Sequence, residues 1–176
     1  MAEFKDSAPR LVKPKAQLKE HISRMLGGER LKACYSCGAC VGNCPVARIL
    51  DRFRPLRIIL ETKRGLEEEL VKGEPIWDCA YCFICQDVCP QQVSFPDILF
   101  AIRNLAARKG NIPQGFMTFS RNVYDSGRSV PLDEFMLEDR EDLGLPQLES
   151  PIPKKALSDI RKIMKITNFK KLIKPK

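Results

Sequence analysis

Apolar residues along the chain recur at steps of three and four and almost nowhere alternate, so the pattern predicts a mostly α protein. "PKAQLKEHISRMLGG" puts Leu18, Ile22, Met25 and Leu26 at helical spacing and stops at Gly27 and Gly28. From Pro55 to Gly73, "PLRIILETKRGLEEELVKG" reads as one helix or two, with Gly65 as the break. "SFPDILFAIRNLAARKG" offers Ser94 and Asp97 as a capping box, a stripe of Leu99, Ile102, Leu105 and Ala106, and Gly110 as the stop. Beyond it, "QGFMTFSRNVYDSGR" repeats apolar positions at Phe116, Phe119 and Val123, and "LDEFMLEDREDLG" is a short acidic amphipathic piece. Pro146, Pro151 and Pro153 make "LPQLESPIPKK" extended, and "ALSDIRKIMKITNF" forms a last helix with Leu157, Ile160 and Met164 on one side.

A chain of 176 residues with 44% hydrophobic content buries one modest core. The expected organisation is an N-terminal helical arm over 1–27, a core over 28–112, and a helical extension over 113–176 that serves as a docking surface within a larger complex. Charges stand where a signal peptide would be apolar, and no stretch reaches ~18 uncharged apolar residues, so neither export nor a membrane span is expected and the setting is cytoplasmic.

That setting makes the eight cysteines metal ligands rather than a disulfide framework. They fall in two copies of one pattern, "CYSCGACVGNCP" at 34–45 and "CAYCFICQDVCP" at 79–90, with intervals of three, three and four and a proline after the last. A shift of 45 residues also carries Gly28, Glu29 and Leu31 onto Gly73, Glu74 and Ile76. After the motifs the phase slips, with Pro55 answering Pro96. Two half-units related by a pseudo-twofold axis are expected, each a motif followed by a helix.

A cubane iron–sulfur cluster needs four thiolates at four corners. Intervals of three bring three sulfurs to one side of a tight loop, while the fourth, ahead of a proline, points elsewhere; in the bacterial two-cluster arrangement it ligates the other cluster. Two 4Fe-4S clusters are therefore expected, cluster I on Cys34, Cys37, Cys40 and Cys89, and cluster II on Cys79, Cys82, Cys85 and Cys44. Zinc takes two CxxC pairs rather than CxxCxxC triplets followed by Cys-Pro, which disfavours a zinc-bound interaction module without removing it. Gly38 and Gly42 let backbone approach a cluster, and Phe83 and Ile84 shield the second. Trp77 and Tyr81 are expected to pack rather than carry electrons, and His21 to be exposed.

The clusters also change the meaning of the charge. A net +8 suggests nucleic acid, but two clusters at about −2 each bring it to about +4, too little for that partner. Arg48, Arg52, Arg54 and Arg57 follow the first motif, either serving the clusters or forming a solvated basic face. With all sulfur committed, no thiol is free as a nucleophile, and no GxGxxG or GxxxxGK[ST] signature appears, so the chain reads as a conductor with no catalytic residue of its own.

The two motifs, "PLRIILETKRGLEEEL", "QQVSFPDILFAIRNLAARKG", "VYDSGRSVPL", "DLGLPQL" and "IRKIMKITNFKKLI" together resemble the C subunit of heterodisulfide reductase, an alpha-helical ferredoxin with two 4Fe-4S clusters. The resemblance covers most of the chain from about Gly28 onward. It implies an electron-transfer role between two partners of the same complex, a flavin-carrying A subunit and a cysteine-rich B subunit that acts on a disulfide. In methanogens that disulfide joins coenzymes M and B, whereas related complexes of sulfur oxidisers run the opposite way on a carrier-bound sulfur substrate. A free-standing two-cluster ferredoxin is the rival reading.

Overall fold

The computed structural model describes residues 14–146, 148 and 151–173, is mostly helical, and has no strand among the described residues. Contacts divide the chain into two compact units between Lys109 and Gly110.

In the first unit, helix α1 is Ala16–Ser23, with Leu18 and Ile22 buried. Two short helices follow around the first motif, α2 over Ala39–Gly42 and α3 over Pro45–Ile49. Helix α4 is Pro55–Arg64 and α5 is Glu67–Lys72. The second motif holds α6 over Ile84–Asp87, and α7 runs over Phe95–Arg108. Single 3-10 turns at Leu31–Ala33 and Pro75–Trp77 lead into the two motifs.

Helices α1, α4, α5 and α7 pack together around Ile22, Ile58, Ile59, Ile98, Leu99 and Ile102, all buried. Each such side chain contributes roughly 1.5–3 kcal/mol relative to exposure. Buried Thr62 fits because its hydroxyl donates to the Ile58 carbonyl at 2.7 Å.

In the segment expected as an N-terminal helical arm, α1 contributes Leu18 and Ile22 to the core; residues 1–13 lie outside the described residues. Two sequence expectations are corrected here. Helix α1 ends at Ser23, well before the glycines, leaving Leu26 92% exposed. The chain instead folds back at Gly28, where a Cβ would sit 1.9 Å from the Ile22 carbonyl oxygen. At α7 no capping box closes: the Ser94 hydroxyl lies 2.5 Å from Asp97 Oδ2 and 2.7 Å from Gln86 Oε1 and takes no backbone N–H.

The stretch from Pro55 is two helices, and the break is Gly65 at φ 76°. Its carbonyl accepts from the Lys15 N–H at 2.8 Å, and a Cβ there would meet the Lys15 carbonyl oxygen at 2.4 Å. Only glycine combines that φ with that approach.

The second unit contains α8 over Gln114–Ser126, α9 over Glu134–Asp142, α10 over Lys154–Ile166 and α11 over Phe169–Leu172. Helix α10 packs on α8 and α11 and buries Leu157 and Met164. Asp133 caps α9 by accepting from the Met136 N–H at 2.8 Å.

Candidate iron-sulfur sites

The two motifs adopt matching backbone. Ser36 and Tyr81 share a positive φ, 68° and 52°, and two residues later Gly38 and Phe83 do so again, 82° and 62°. Each second residue precedes a four-residue helix, α2 or α6, carrying the third cysteine. In each motif a loop that turns left-handed twice within three residues brings its first three cysteines around one cavity. The cost of placing Tyr81 and Phe83 in that region, on the order of 1–2 kcal/mol each, marks a site whose geometry is imposed by its surroundings.

The fourth cysteine of each motif sits at the end of its loop. Cys44 starts α3 with Pro45 behind it, and its Sγ accepts from the Ala47 N–H at 3.4 Å. Cys89 Sγ accepts from the Val93 N–H at 3.3 Å, and Cys79 Sγ from the Tyr81 N–H at 3.4 Å.

Two cavities gather the thiols. Cys34, Cys37 and Cys40 line the first with Cys89 of the other motif; Gly38, Leu56 and Ile59 also face it. Cys79, Cys82 and Cys85 line the second with Cys44 of the other motif; Val46, Phe53 and Phe83 also face it. Phe95 and Cys85 contribute to both walls. The thiols stand around a space rather than on a point: among the described residues no three His, Cys, Asp or Glu side chains converge as a single-ion site.

The electrostatics follow the same grouping. Burial, then Cys34 and Cys37, and more weakly Cys89, push the Cys40 thiol up to about 11. Burial, then Cys79, Cys40, Cys44 and Cys82, push Cys85 up to about 12. Burial also raises Cys79, opposed by the Tyr81 N–H and the Arg103 charge, which favour its thiolate. Metal that binds here displaces protons and relieves the crowding of these sulfurs. The donor set fits an iron–sulfur cluster in each cavity: at least four thiols, five in the first where Cys85 also reaches the wall, with apolar walls and N–H groups directed at sulfur.

The flanking residues divide. Phe83 faces the second cavity though 44% exposed, whereas Ile84 does not line it, so only the first of the expected shields is placed there. Gly38 faces the first cavity and Gly42 faces neither. None of Arg48, Arg52, Arg54 and Arg57 lines either cavity. Arg52 makes a two-pronged bond to Asp78 at 2.7 and 2.8 Å and reaches Glu74 at 3.0 Å, tying the segment after the first motif to the approach to the second. Arg54 donates to the Ala47 carbonyl at 2.7 Å, Arg57 pairs with Glu61 at 2.7 Å, and Arg48 reaches the Gly42 carbonyl at 3.4 Å. Trp77 packs against the core, and His21 is exposed. The sequence reading missed Lys63 and Arg103, which donate to the carbonyls of Cys34 and Cys79. Their partners lie 29 and 24 residues away, so no local pattern marks them.

Residues 30–93 match the family described as 4Fe-4S dicluster domain. The chain is 32% identical over 173 residues to the iron-sulfur C subunit of the CoB–CoM heterodisulfide reductase of Methanopyrus kandleri, covering 97% of this chain and 86% of that protein. It is 33% identical over 149 residues to the C subunit of the H(2):CoB-CoM heterodisulfide,ferredoxin reductase of Methanothermobacter thermautotrophicus, covering 84% and 80%. A protein of Archaeoglobus profundus named as like the heterodisulfide reductase C subunit is 35% identical over 153 residues, covering 86% of this chain and 80% of its own length. With matches of this extent, spanning both the cysteine motifs and the helical segment beyond them, the chain belongs to the family of heterodisulfide reductase C subunits.

Proposed function

We propose that this protein is the electron-transfer subunit of a heterodisulfide-reductase-type complex, relaying single electrons through two 4Fe-4S clusters. The observation that carries the reading is the pair of cavities, each lined by three cysteines of one motif and the last cysteine of the other. Cys34, Cys37, Cys40 and Cys89 hold cluster I; Cys79, Cys82, Cys85 and Cys44 hold cluster II. When bound, each cluster accepts and releases one electron. The chain's own part is to hold the thiolates, exclude water with Phe53, Ile59 and Phe95, and direct N–H groups at sulfur. The repeated φ pattern supports two half-sites related by a pseudo-twofold axis, an alpha-helical ferredoxin core.

The partners proposed are a flavin protein on one side and a cysteine-rich, disulfide-active protein on the other, in the cytoplasm. Exposed apolar side chains of the second unit, Phe119, Phe135, Ile163 and Ile166, support a docking role for residues 113–176. No described helix is long and apolar enough to cross a membrane. The substrate in the names of the relatives, the CoB–CoM heterodisulfide, is one candidate for the complex; a carrier-bound sulfur substrate is the other.

Iron and sulfide analysis, with electron paramagnetic resonance of the reduced protein, tests the redox reading. Two interacting cluster signals are expected, and two zinc ions with no signal refute it. Copurification with both a flavoprotein and a cysteine-rich protein is expected if the chain works inside a complex. Isolation as a monomer with neither partner identifies a free ferredoxin instead.

A further inference from the structure

Each cysteine motif is followed by a long helix, and the ninth residue of each helix is a cation: Lys63 on α4 and Arg103 on α7. Both reach back to the same place. Lys63 Nζ donates to the carbonyl of Cys34 at 2.7 Å, and Arg103 Nη2 donates to the carbonyl of Cys79 at 3.3 Å, with Nε on the Ile76 carbonyl at 2.6 Å. Cys34 and Cys79 are the first cysteines of the two motifs.

Arg103 is 9% exposed, with its guanidinium 5.3 Å from the centre of the Trp77 ring and 4.7 Å from that of Tyr81. Lys63 is half-buried. Among the described residues neither cation has a carboxylate within ion-pairing distance. Carbonyls and ring faces offset part of the cost of burying a guanidinium, but they leave its full positive charge uncompensated. The counter-charge left to it is the cluster proposed at the cysteine whose carbonyl it holds. A cubane with four thiolates carries about −2 oxidised and about −3 after accepting one electron, so a fixed cation at the first cysteine favours the reduced form.

We infer that Lys63 and Arg103 are positioning residues that set the reduction potentials of the two clusters, each raising the potential of the cluster whose first cysteine it holds. The inference rests on the assignment of the two cysteine sets as cluster ligands. Because Arg103 is the more buried, its effect is the larger, and it biases an added electron toward the second cluster.

The test is a redox titration of both clusters by electron paramagnetic resonance in wild type, K63Q, R103Q, K63R and R103K. R103Q is expected to lower only the potential of the cluster on Cys79, on the order of tenfold in the one-electron equilibrium or 59 mV. K63Q is expected to lower only the other, by less, while K63R and R103K stay close to wild type. Unchanged potentials in both neutral variants, or both clusters shifting together, overturn the inference. Where a neutral variant takes up no iron, its conservative partner decides. Loading at wild-type potential supports the role of the charge, and failure to load shows a purely structural contact. A wild-type protein without iron overturns the ligand assignment and this inference with it, before any variant is compared.

Discussion

Cys44 belongs to the first motif by sequence and to the second cavity by position, so replacing it separates two schemes that sequence spacing alone does not. Under crossed ligation, C44A leaves Cys34, Cys37, Cys40 and Cys89 complete and the other set one thiolate short. Iron loss is then confined to one site, at most about half of the total. There is also a structural cost, because the Ala47 N–H loses the Cys44 sulfur that accepts it at 3.4 Å. Losing a side-chain cap costs about 0.5–2 kcal/mol, here in a helix of five residues. That is small against a structural metal site, whose binding contributes roughly 10–16 kcal/mol in small zinc domains.

Two reference variants supply the reading. Cys37 lines only the first cavity and Cys82 only the second, and both are exposed thiols whose removal disturbs packing little. Iron content and the resonance spectra of reduced C44A, C82A, C37A and C89A are compared. C44A is expected to match C82A, and C89A to match C37A. A C44A protein whose spectrum matches C37A refutes crossed ligation.

Three further outcomes follow from packing. Phe95 is 2% exposed, meets Phe53 edge-on at 6.3 Å and lines both cavities. F95A therefore loses about 3–5 kcal/mol in thermal unfolding and makes both clusters sensitive to oxygen, whereas sensitivity of only one would disprove the shared wall. G65A costs at least about 1–2 kcal/mol because its φ of 76° is strained and its Cβ meets the Lys15 carbonyl. G115A, inside α8 with open space around its Cβ, is neutral or stabilising by about 0.5–1 kcal/mol; equal losses in the two glycine variants contradict this. Removing iron with a chelator leaves crowded thiols in the core, so emission from Trp77, the single tryptophan, shifts to the red; an unshifted spectrum shows a core that stands without metal.

What was legible in the sequence was what short-range pattern controls. The stripe that predicts α7 matches a helix ending at Arg108, two residues before Gly110, because its core contacts repeat at helical spacing. Gly65 was readable as a break because no other residue type takes that turn cheaply. The end of α1 was not readable: Met25 and Leu26 continue the apolar spacing, but the return of the chain at Gly28 overrides it. The capping box at Ser94 failed for a comparable reason, since Gln86 in the second motif competes for the hydroxyl. Lys63 and Arg103 look like ordinary basic residues in the sequence, and only the fold brings them to Cys34 and Cys79.

The crossing of the fourth cysteines has a consequence for assembly. Neither cavity is complete with the cysteines of one motif, and Phe95, which begins the helix after the second motif, closes walls of both. The Arg52–Asp78 bond further ties the chain after the first motif to the residue preceding Cys79. Because Cys40 and Cys85 are pushed far above neutral pH by burial and neighbouring thiols, an empty first unit buries protonated, crowded sulfur against its apolar core. Filling either site draws in a cysteine from the opposite motif and so orders part of the other site's loop. On the proposed ligation the two halves of residues 14–109 are therefore braced to each other by metal as well as by packing, while each site still fills on its own four cysteines.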